Sequence, residues 1–304
     1  YYYWLQFKVK PYLEKIKPDL FLSPDGFLCL NTSIKQLPVI HDIHFFHYPK
    51  HVKFLTEKYY KYFFPKFAKQ ATQIVTVSQY SKTDISEVYG VDANKIWVVY
   101  NGINNFFKPL SLDKKNKVSQ KFSKSLPYFV YVGAISPRKN ISNLLKAFDV
   151  FKKNNPALNH NLVIAGAIAW GNKEVQNTLN NLEFKNKIIF TGRLSNNDLA
   201  DVLASAEALV YIPLFEGFGI PVLEALWSKV PVITSKTSCL PETGGNAAYY
   251  IDPYSTEEMA NAMLAVSDNA LLRANMIEKG WVYAQQFTHQ RCATAVMDVY
   301  KKLL

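Results

Sequence analysis

Cysteine is scarce in this chain of 304 residues: Cys29, Cys239 and Cys292 lie far apart and are odd in number. That excludes a disulfide scaffold and fits reduced thiols better than a metal cage. No run approaches the roughly 18 to 20 apolar residues needed to span a bilayer, and no basic start with an apolar core and a small-residue cleavage site is present. A cytoplasmic location is the default expectation. No G-x-G-x-x-G follows any expected strand, which counts against a nicotinamide or flavin dehydrogenase. No D-x-D pair occurs, and arginine is rare, with four in the chain.

What is present is globular: 49% hydrophobic and 19% charged residues over a length that accommodates two domains with cores of their own. The charge is uneven. Residues 1–126 carry 19 Lys and no Arg against 9 Asp and Glu, a net of +10, whereas residues 127–304 carry 16 Lys and Arg against 15 Asp and Glu, a net of +1. A basic first half suits nucleic acid, an anionic membrane or an anionic substrate, or is ordinary solvated surface. No recognised nucleic-acid motif accompanies it and the chemistry-bearing residues fall in the neutral half, so nucleic acid is not an expected partner.

Function concentrates in YIPLFEGFGIPVLE, residues 211–224. ALVYIP reads as a buried strand, Glu216-Gly217-Phe218-Gly219 cannot continue it, and Pro221 suits a first helical turn. In an open α/β sheet such a turn lies at the carboxyl edge, where N–H groups near Phe218, Gly219 and Ile220 can meet phosphate or hydroxyl oxygens. Glu216 and Glu224 are acceptor-only carboxylates, each able to take vicinal hydroxyls. Spacing alone leaves a plain core helix with two solvated glutamates equally open.

Taken in order, the chain opens with helical spacing of Trp4, Leu5, Val9, Tyr12, Leu13 and Ile16, stopped by Pro18, and a short strand at Asp19–Leu22. A second strand, LPVIHD (37–42), ends on His41-Asp42. Residues 50–70 read as a basic amphipathic helix, packed on its own sheet or lying on an anionic membrane surface. A strand at 73–78 ends on Ser78, a helix covers Ser81–Tyr89, and a strand at 95–102 stops at Asn-Gly. Residues 106–126, rich in Lys, Ser and Asn, read as a linker.

The strand YFVYVG ends on Gly133, Pro137-Arg138-Lys139-Asn140 forms a loop, and Asn140 is expected to cap a helix from Ile141 to Lys153. Two cations beside a helix start can neutralise a diphosphate, the arginine as a planar fork and the lysine as a point charge. Strands at 162–166, 187–192, 208–213 and 231–235 alternate with helices near 174–182, 195–204 and 220–228, the pattern of a doubly wound parallel sheet. Two helices run to about Gln286, and an amphipathic helix ends the chain.

These motifs, in this order, resemble the retaining GT-B glycosyltransferases of family four, most closely the mannosyltransferase-like branch. EGFGIPVLEA resembles the family's E-x7-E signature, G-x4-RKN its diphosphate loop, and VSQYSKTDI…YGV…KIWVVYNGI the end of its first domain. The resemblance implies an α/β chain of GT-B fold, two Rossmann-like doubly wound domains facing a cleft. The first domain (1–105) is expected to be incomplete, lacking the opening strand and glycine-rich loop. A linker (106–126), a nucleotide-sugar-binding domain (127–286) and a helix crossing back (287–304) follow.

It implies donor contacts from Gly133, Arg138, Lys139, Arg193 in TGRL, Glu216, Gly217, Phe218, Gly219, Ile220 and Glu224. His41, Glu216, Arg138 and Lys139 are the expected catalytic set, with His41, Asp42 and Ser78 on the acceptor side and Glu242 with its two glycines near the cleft. Many members place Arg after the glycine where this chain has Ala134, so one phosphate contact is missing or supplied elsewhere.

The expected activity is transfer of mannose from GDP-mannose, with retention, onto a glycan or lipid-linked acceptor in cell-envelope polysaccharide synthesis. The partners expected are a nucleotide-sugar donor, that acceptor and the inner face of an anionic membrane. No cofactor and no metal are expected, because cations and a helix start replace a divalent ion. A UDP-sugar transferase and a non-catalytic nucleotide-sugar-binding remnant stay open as alternatives.

Overall fold

The computed structural model describes residues 2–167 and 172–304. The chain divides into two compact units, Tyr1–Gly102 with Glu216–Phe218 and Thr288–Leu304, and Ile103–Phe215 with Gly219–Phe287.

In the first unit, β1 (Phe21–Ser23) pairs in parallel with β2 (Gln36–Pro38), and β3 (Ile74–Thr76) with β4 (Ile96–Val98). A bridge between Val39 and Val75 joins the two pairs, with Ile40 N–H donating to Val75 O at 2.8 Å. Alternation along the strands makes two cores. Ile40 and Ile74 face Phe64 and Phe67 of the helix Phe54–Gln70, while Leu37 and Val75 face Val299 and Leu303 of the helix His289–Leu303.

The strands are shorter than the apolar runs that announced them. β2 stops at Pro38, which has no N–H for the ladder, and the strand expected at Asp19–Leu22 is shifted to Phe21–Ser23. The first helix is interrupted by a π-helical run at Leu5–Val9, after which Lys10–Ile16 is α-helical; Leu5 and Leu13 are its buried residues.

The second unit holds a six-stranded sheet in the order β10-β9-β8-β5-β6-β7, with every pair parallel. These strands are Tyr128–Val132 (β5), Asn161–Ala165 (β6), Ile188–Gly192 (β7), Ala208–Tyr211 (β8), Val232–Ser235 (β9) and Tyr249–Ile251 (β10). β5, β6, β8 and β9 are buried at every position, as strands covered on both faces must be. Counted within the unit the order is 3-2-1-4-5-6, the doubly wound arrangement with a switch point between β5 and β8.

Two readings of the sequence are corrected here. Residues 106–126 are not all linker, because Leu112–Ser123 is a helix of the second unit. It packs on the helix Asn196–Ala204, with Lys114 to Asp201 at 2.6 Å and Lys121 to Asp198 at 2.9 Å. Asn140 does not cap the helix Ile141–Asn154 with its side chain; it sits at φ 61° with its amide committed elsewhere.

Candidate functional site

β5 and β8 are neighbours in the sheet, yet the chain leaves β5 toward β6 and β7 and leaves β8 toward β9 and β10. Their carboxyl ends therefore part and open a crevice. The loop after β5 crosses the end of β6: Gly133 N–H donates to Ala165 O and Ile135 N–H to Ala167 O, both at 3.0 Å. The crossing is close enough that a Cβ on Gly166 would stand 1.9 Å from Gly133 O, so only glycine fits there. Beside it lies a hollow of about 320 Å³, lined by Gly133, Ala134, Gly166, Arg193, Asn196 and Leu199 among others.

Past this crossing the chain makes the turn Pro137–Lys139, which is fastened to the segment after β8. Arg138 Nη1 donates to Phe215 O at 2.7 Å, and Leu214 N–H donates to Arg138 O at 2.9 Å. Lys139 Nζ donates to the Tyr211 hydroxyl and stands 5.0 Å over that ring. Asn140 Nδ2 donates to Pro253 O at 2.6 Å and to Ile212 O at 3.2 Å. The left-handed backbone at Asn140 thus turns its amide into the protein, where it ties three loop ends together.

The segment after β8 is held in turn by Thr234 Oγ1, which donates to Tyr211 O at 2.6 Å, and by Ser235 Oγ, which donates to Pro213 O at 2.8 Å. Gly219 then adopts φ 89°, and a Cβ there would meet Leu240 Cδ2 at 2.7 Å. From it the helix Ile220–Trp227 starts with Pro221 in its first turn. A helix beginning this way presents unpaired N–H groups and the positive end of its dipole to whatever lies before it. Glu224, one turn in, is half-buried, and its carboxyl has no hydrogen bond or ion pair among the described residues. Burial without a partner pushes its carboxyl up to about 7.

The first unit contains the other candidates. Ser78 is buried; its Oγ accepts from Ser81 N–H at 3.0 Å and donates to Gly217 O at 2.7 Å. Ser81 Oγ donates to His41 O at 3.2 Å, so two strand ends and the Gly217 peptide are joined by two hydroxyls. Asp42 Oδ1 accepts from His44 N–H at 3.0 Å and lies 2.7 Å from His44 Nδ1. His41 is exposed, with Nε2 3.2 Å from Pro24 O, and Glu216 is buried at 8% exposure.

The family described as Glycosyl transferases group 1 matches residues 113–281, and the one described as Glycosyltransferase Family 4 matches residues 1–105. This chain belongs to the group 1 glycosyl transferases. The O-antigen chain mannosyltransferase RfbU of Salmonella typhimurium is 33% identical over 228 residues, 75% of this chain and 60% of that protein. The O-antigen chain mannosyltransferase B of Escherichia coli is 27% identical over 292 residues, 96% of this chain and 76% of that protein. The chain therefore spans less than two thirds of RfbU in its match. Among solved structures, a glycosyltransferase from Rickettsia africae aligns with TM-score 0.77 at 19% identity, over 97% of this chain and 79% of that one. Anabaena HepE, solved with UDP and glucose, aligns with TM-score 0.78 at 20% identity, over 96% and 81%. The fold is GT-B.

In this group 1 chain the expected residues fall into distinct surroundings. Gly133 and Arg193 line one hollow. Arg138 and Lys139 lie at the β5 and β8 ends, with Gly219, Ile220 and Glu224 opening the helix that follows. Asp42 and Ser78 spend polar atoms on the local backbone, bracing the turn after His41 and the Gly217 peptide. Sequence reasoning missed Tyr211 as the partner of Lys139, His44 as the partner of Asp42, and Asn140 as a cross-link. The first joins residues 72 apart that only the sheet order makes neighbours, so no local signal carried it. The second was locally available, since an aspartate can accept from the N–H two residues on, whereas the third rests on contacts 72 and 113 residues away.

Proposed function

We propose that the chain transfers a hexose, mannose from GDP-mannose, with retention of configuration, onto a glycan or lipid-linked acceptor of cell-envelope polysaccharide. The observation that carries the reading is the parting of β5 and β8 with two cations fastened at it and a helix start opening from it. The names of the two curated relatives support mannose as the sugar and O-antigen as the product class.

In this reading the hollow beside Gly133 and Arg193 takes the nucleoside. Arg138, Lys139 and the helix start take the diphosphate, whose charge grows as the glycosidic bond breaks; binding that strengthens with the growing charge lowers the barrier. No metal is required of the protein for that step, since these cations serve it. Glu224 accepts hydrogen bonds from ribose hydroxyls. Glu216 and His41 meet the sugar, and Glu216 positions it rather than attacking it. The acceptor hydroxyl enters on the face the diphosphate leaves, which retains the anomeric configuration.

A thermal-shift screen of GDP-, UDP- and ADP-sugars, followed by turnover with the donor that binds, tests the reading. GDP-mannose is expected to give the largest shift and release of GDP in the presence of acceptor. A larger shift with a UDP-sugar would replace the donor, and binding without turnover on any lipid-linked glycan would leave a nucleotide-sugar-binding protein.

A further inference from the structure

We propose that the second unit carries a saccharide-binding site outside the donor crevice, and that its ligand is an uncharged stretch of glycan. Its frame is the helix Ala270–Ala284 and the loop 245–248 that leads into β10. Asn275, Glu278, Lys279 and Val282 recur at the three- and four-residue spacing of one helix face, and Asn246 joins them from the loop. With the ring of Tyr283 they line a hollow of about 380 Å³, within the roughly 300 to 1,000 Å³ typical of small-ligand sites. A smaller hollow of about 120 Å³ shares Asn246, Asn275 and Lys279 and has Ala247 and Met276 in its wall.

The site stands apart from the crevice between β5 and β8. Tyr249, the first residue of β10, pairs in register with Ile233 near the start of β9, so the loop before it lies at the amino edge of the sheet. Gly133, Arg138 and Gly219 come after strands that end at the carboxyl edge. The wall is held before any ligand arrives. Tyr283 Oη donates to Glu242 O at 2.6 Å, and Tyr250 Oη donates to Gly245 O at 2.7 Å. Gly245 sits at φ 57°, and a Cβ on it would stand 2.8 Å from the Tyr283 ring, so the loop lies flush against that ring.

The lining decides the class of ligand. Asn246, Asn275, Glu278 and Lys279 make no side-chain hydrogen bond or ion pair among the described residues. An amide both donates and accepts, a carboxylate accepts and an ammonium donates, so the set matches hydroxyls, each of which does both. The Tyr283 hydroxyl is already spent, which leaves its ring and Val282 as apolar surface for the C–H face of a sugar ring. Glu278 and Lys279 cancel in charge. Arg273, the arginine of the same helix, is spent on Val266 O at 2.5 Å and Ser267 O at 2.7 Å. No net charge therefore draws a phosphate here, in contrast to the turn that carries Arg138 and Lys139. A second contact of this kind holds the enzyme on polysaccharide while the crevice stays free, which raises the local concentration of acceptor.

The inference rests on the proposed glycan acceptor for its natural ligand, but its test reads binding alone, so the two fail separately. The whole chain is titrated calorimetrically with neutral trisaccharides of mannose, of glucose and of N-acetylglucosamine, and separately with inorganic phosphate. At least one trisaccharide is expected to bind, equally with and without GDP. Asn246→Ala with Asn275→Ala, both at exposed positions, should weaken that binding by about tenfold or more, the loss expected from two neutral hydrogen bonds. Asn275→Trp, whose indole fills the hollow, should do the same, and all these variants should keep the parent's melting temperature and its affinity for GDP and UDP. No binding by any of the three sugars, or binding that both variants keep, would overturn the site. Phosphate binding that Lys279→Ala removes would overturn the uncharged ligand. Trisaccharide binding by a chain that shows no turnover would support the site and strike the proposed activity alone.

Discussion

Arg138 Nη1 donates to the carbonyl oxygen of Phe215 at 2.7 Å, across 77 residues of sequence. The side chain expected to meet a phosphate is therefore also the one that fixes where the segment after β8 runs. A guanidinium can serve both purposes because its five donors fan out in one plane, whereas an ammonium offers a compact point charge.

This double use shapes the first prediction. Arg138→Ala and Lys139→Ala should each weaken nucleoside diphosphate binding by about 1.5 to 3 kcal/mol, the range for hydrogen bonds to charged groups. Arg138→Ala should in addition cost roughly 1 kcal/mol of stability, since a carbonyl loses its donor. Titration calorimetry and chemical denaturation separate the two effects, and unchanged affinity in both variants would remove the diphosphate from this turn.

The two glutamates of the E-x7-E stretch should fail differently. Glu224→Gln should lower affinity for the bare nucleotide, while Glu216→Gln should spare it and abolish the extra affinity of the intact sugar nucleotide. Calorimetry with the nucleoside diphosphate and with the sugar nucleotide reads both. Equal losses on both ligands would refute the division.

Gly166 offers a test that needs no ligand assignment. Its Cβ position lies 1.9 Å from Gly133 O and 2.7 Å from Gly133 C, both backbone atoms that cannot swing aside. Gly166→Ala should destabilise the second unit by about 1 to 3 kcal/mol, as overpacking does. It should also displace the loop that carries Gly133 and Ala134 at the hollow. Denaturant titration checks the first effect and nucleotide affinity the second; a variant as stable as the parent would mean the loop yields freely.

How much of this was readable in advance follows from where the determining contacts lie. β5, β8 and the helix start at Ile220 were legible because unbroken apolar runs, Gly219 and Pro221 are local signals with local causes. Asn140 was misread as a cap because its amide's partners, Pro253 O and Ile212 O, are 113 and 72 residues away. Leu112–Ser123 was misread as linker because a helix that buries little more than Val118 and Ser123 shows almost no apolar stripe. Its lysines find Asp198 and Asp201 on another helix, which composition does not show. The pairing of Lys139 with Tyr211 is of the same kind, since strand β8 reaches it only through the sheet order.

Glu224 gives the last prediction, on pH. Its carboxyl ordinarily titrates at 4.5 and is held up to about 7 by burial. Between those values the folded chain keeps a proton that the unfolded chain has released. Stability therefore falls as pH rises from about 4.5 to 7, and the loss is complete above 7. A shift of that size corresponds to about 3 kcal/mol at full weight; the side chain is only half-buried, and solvent screening reduces the expected cost to about 1 to 2 kcal/mol. Glu224→Gln, which cannot ionise, should match the parent near pH 4 and exceed its stability by that amount at pH 8. Ligand binding should run the opposite way. Ribose hydroxyls donate to the carboxylate and favour its ionised form, so binding lowers the carboxyl's pKa, releases a proton near pH 7, and tightens as pH rises through that value. Calorimetry in two buffers of different ionisation enthalpy counts that proton. A parent whose nucleotide affinity is flat from pH 6 to 8, with no proton released, would take Glu224 out of the ribose contact even if the stability difference appears.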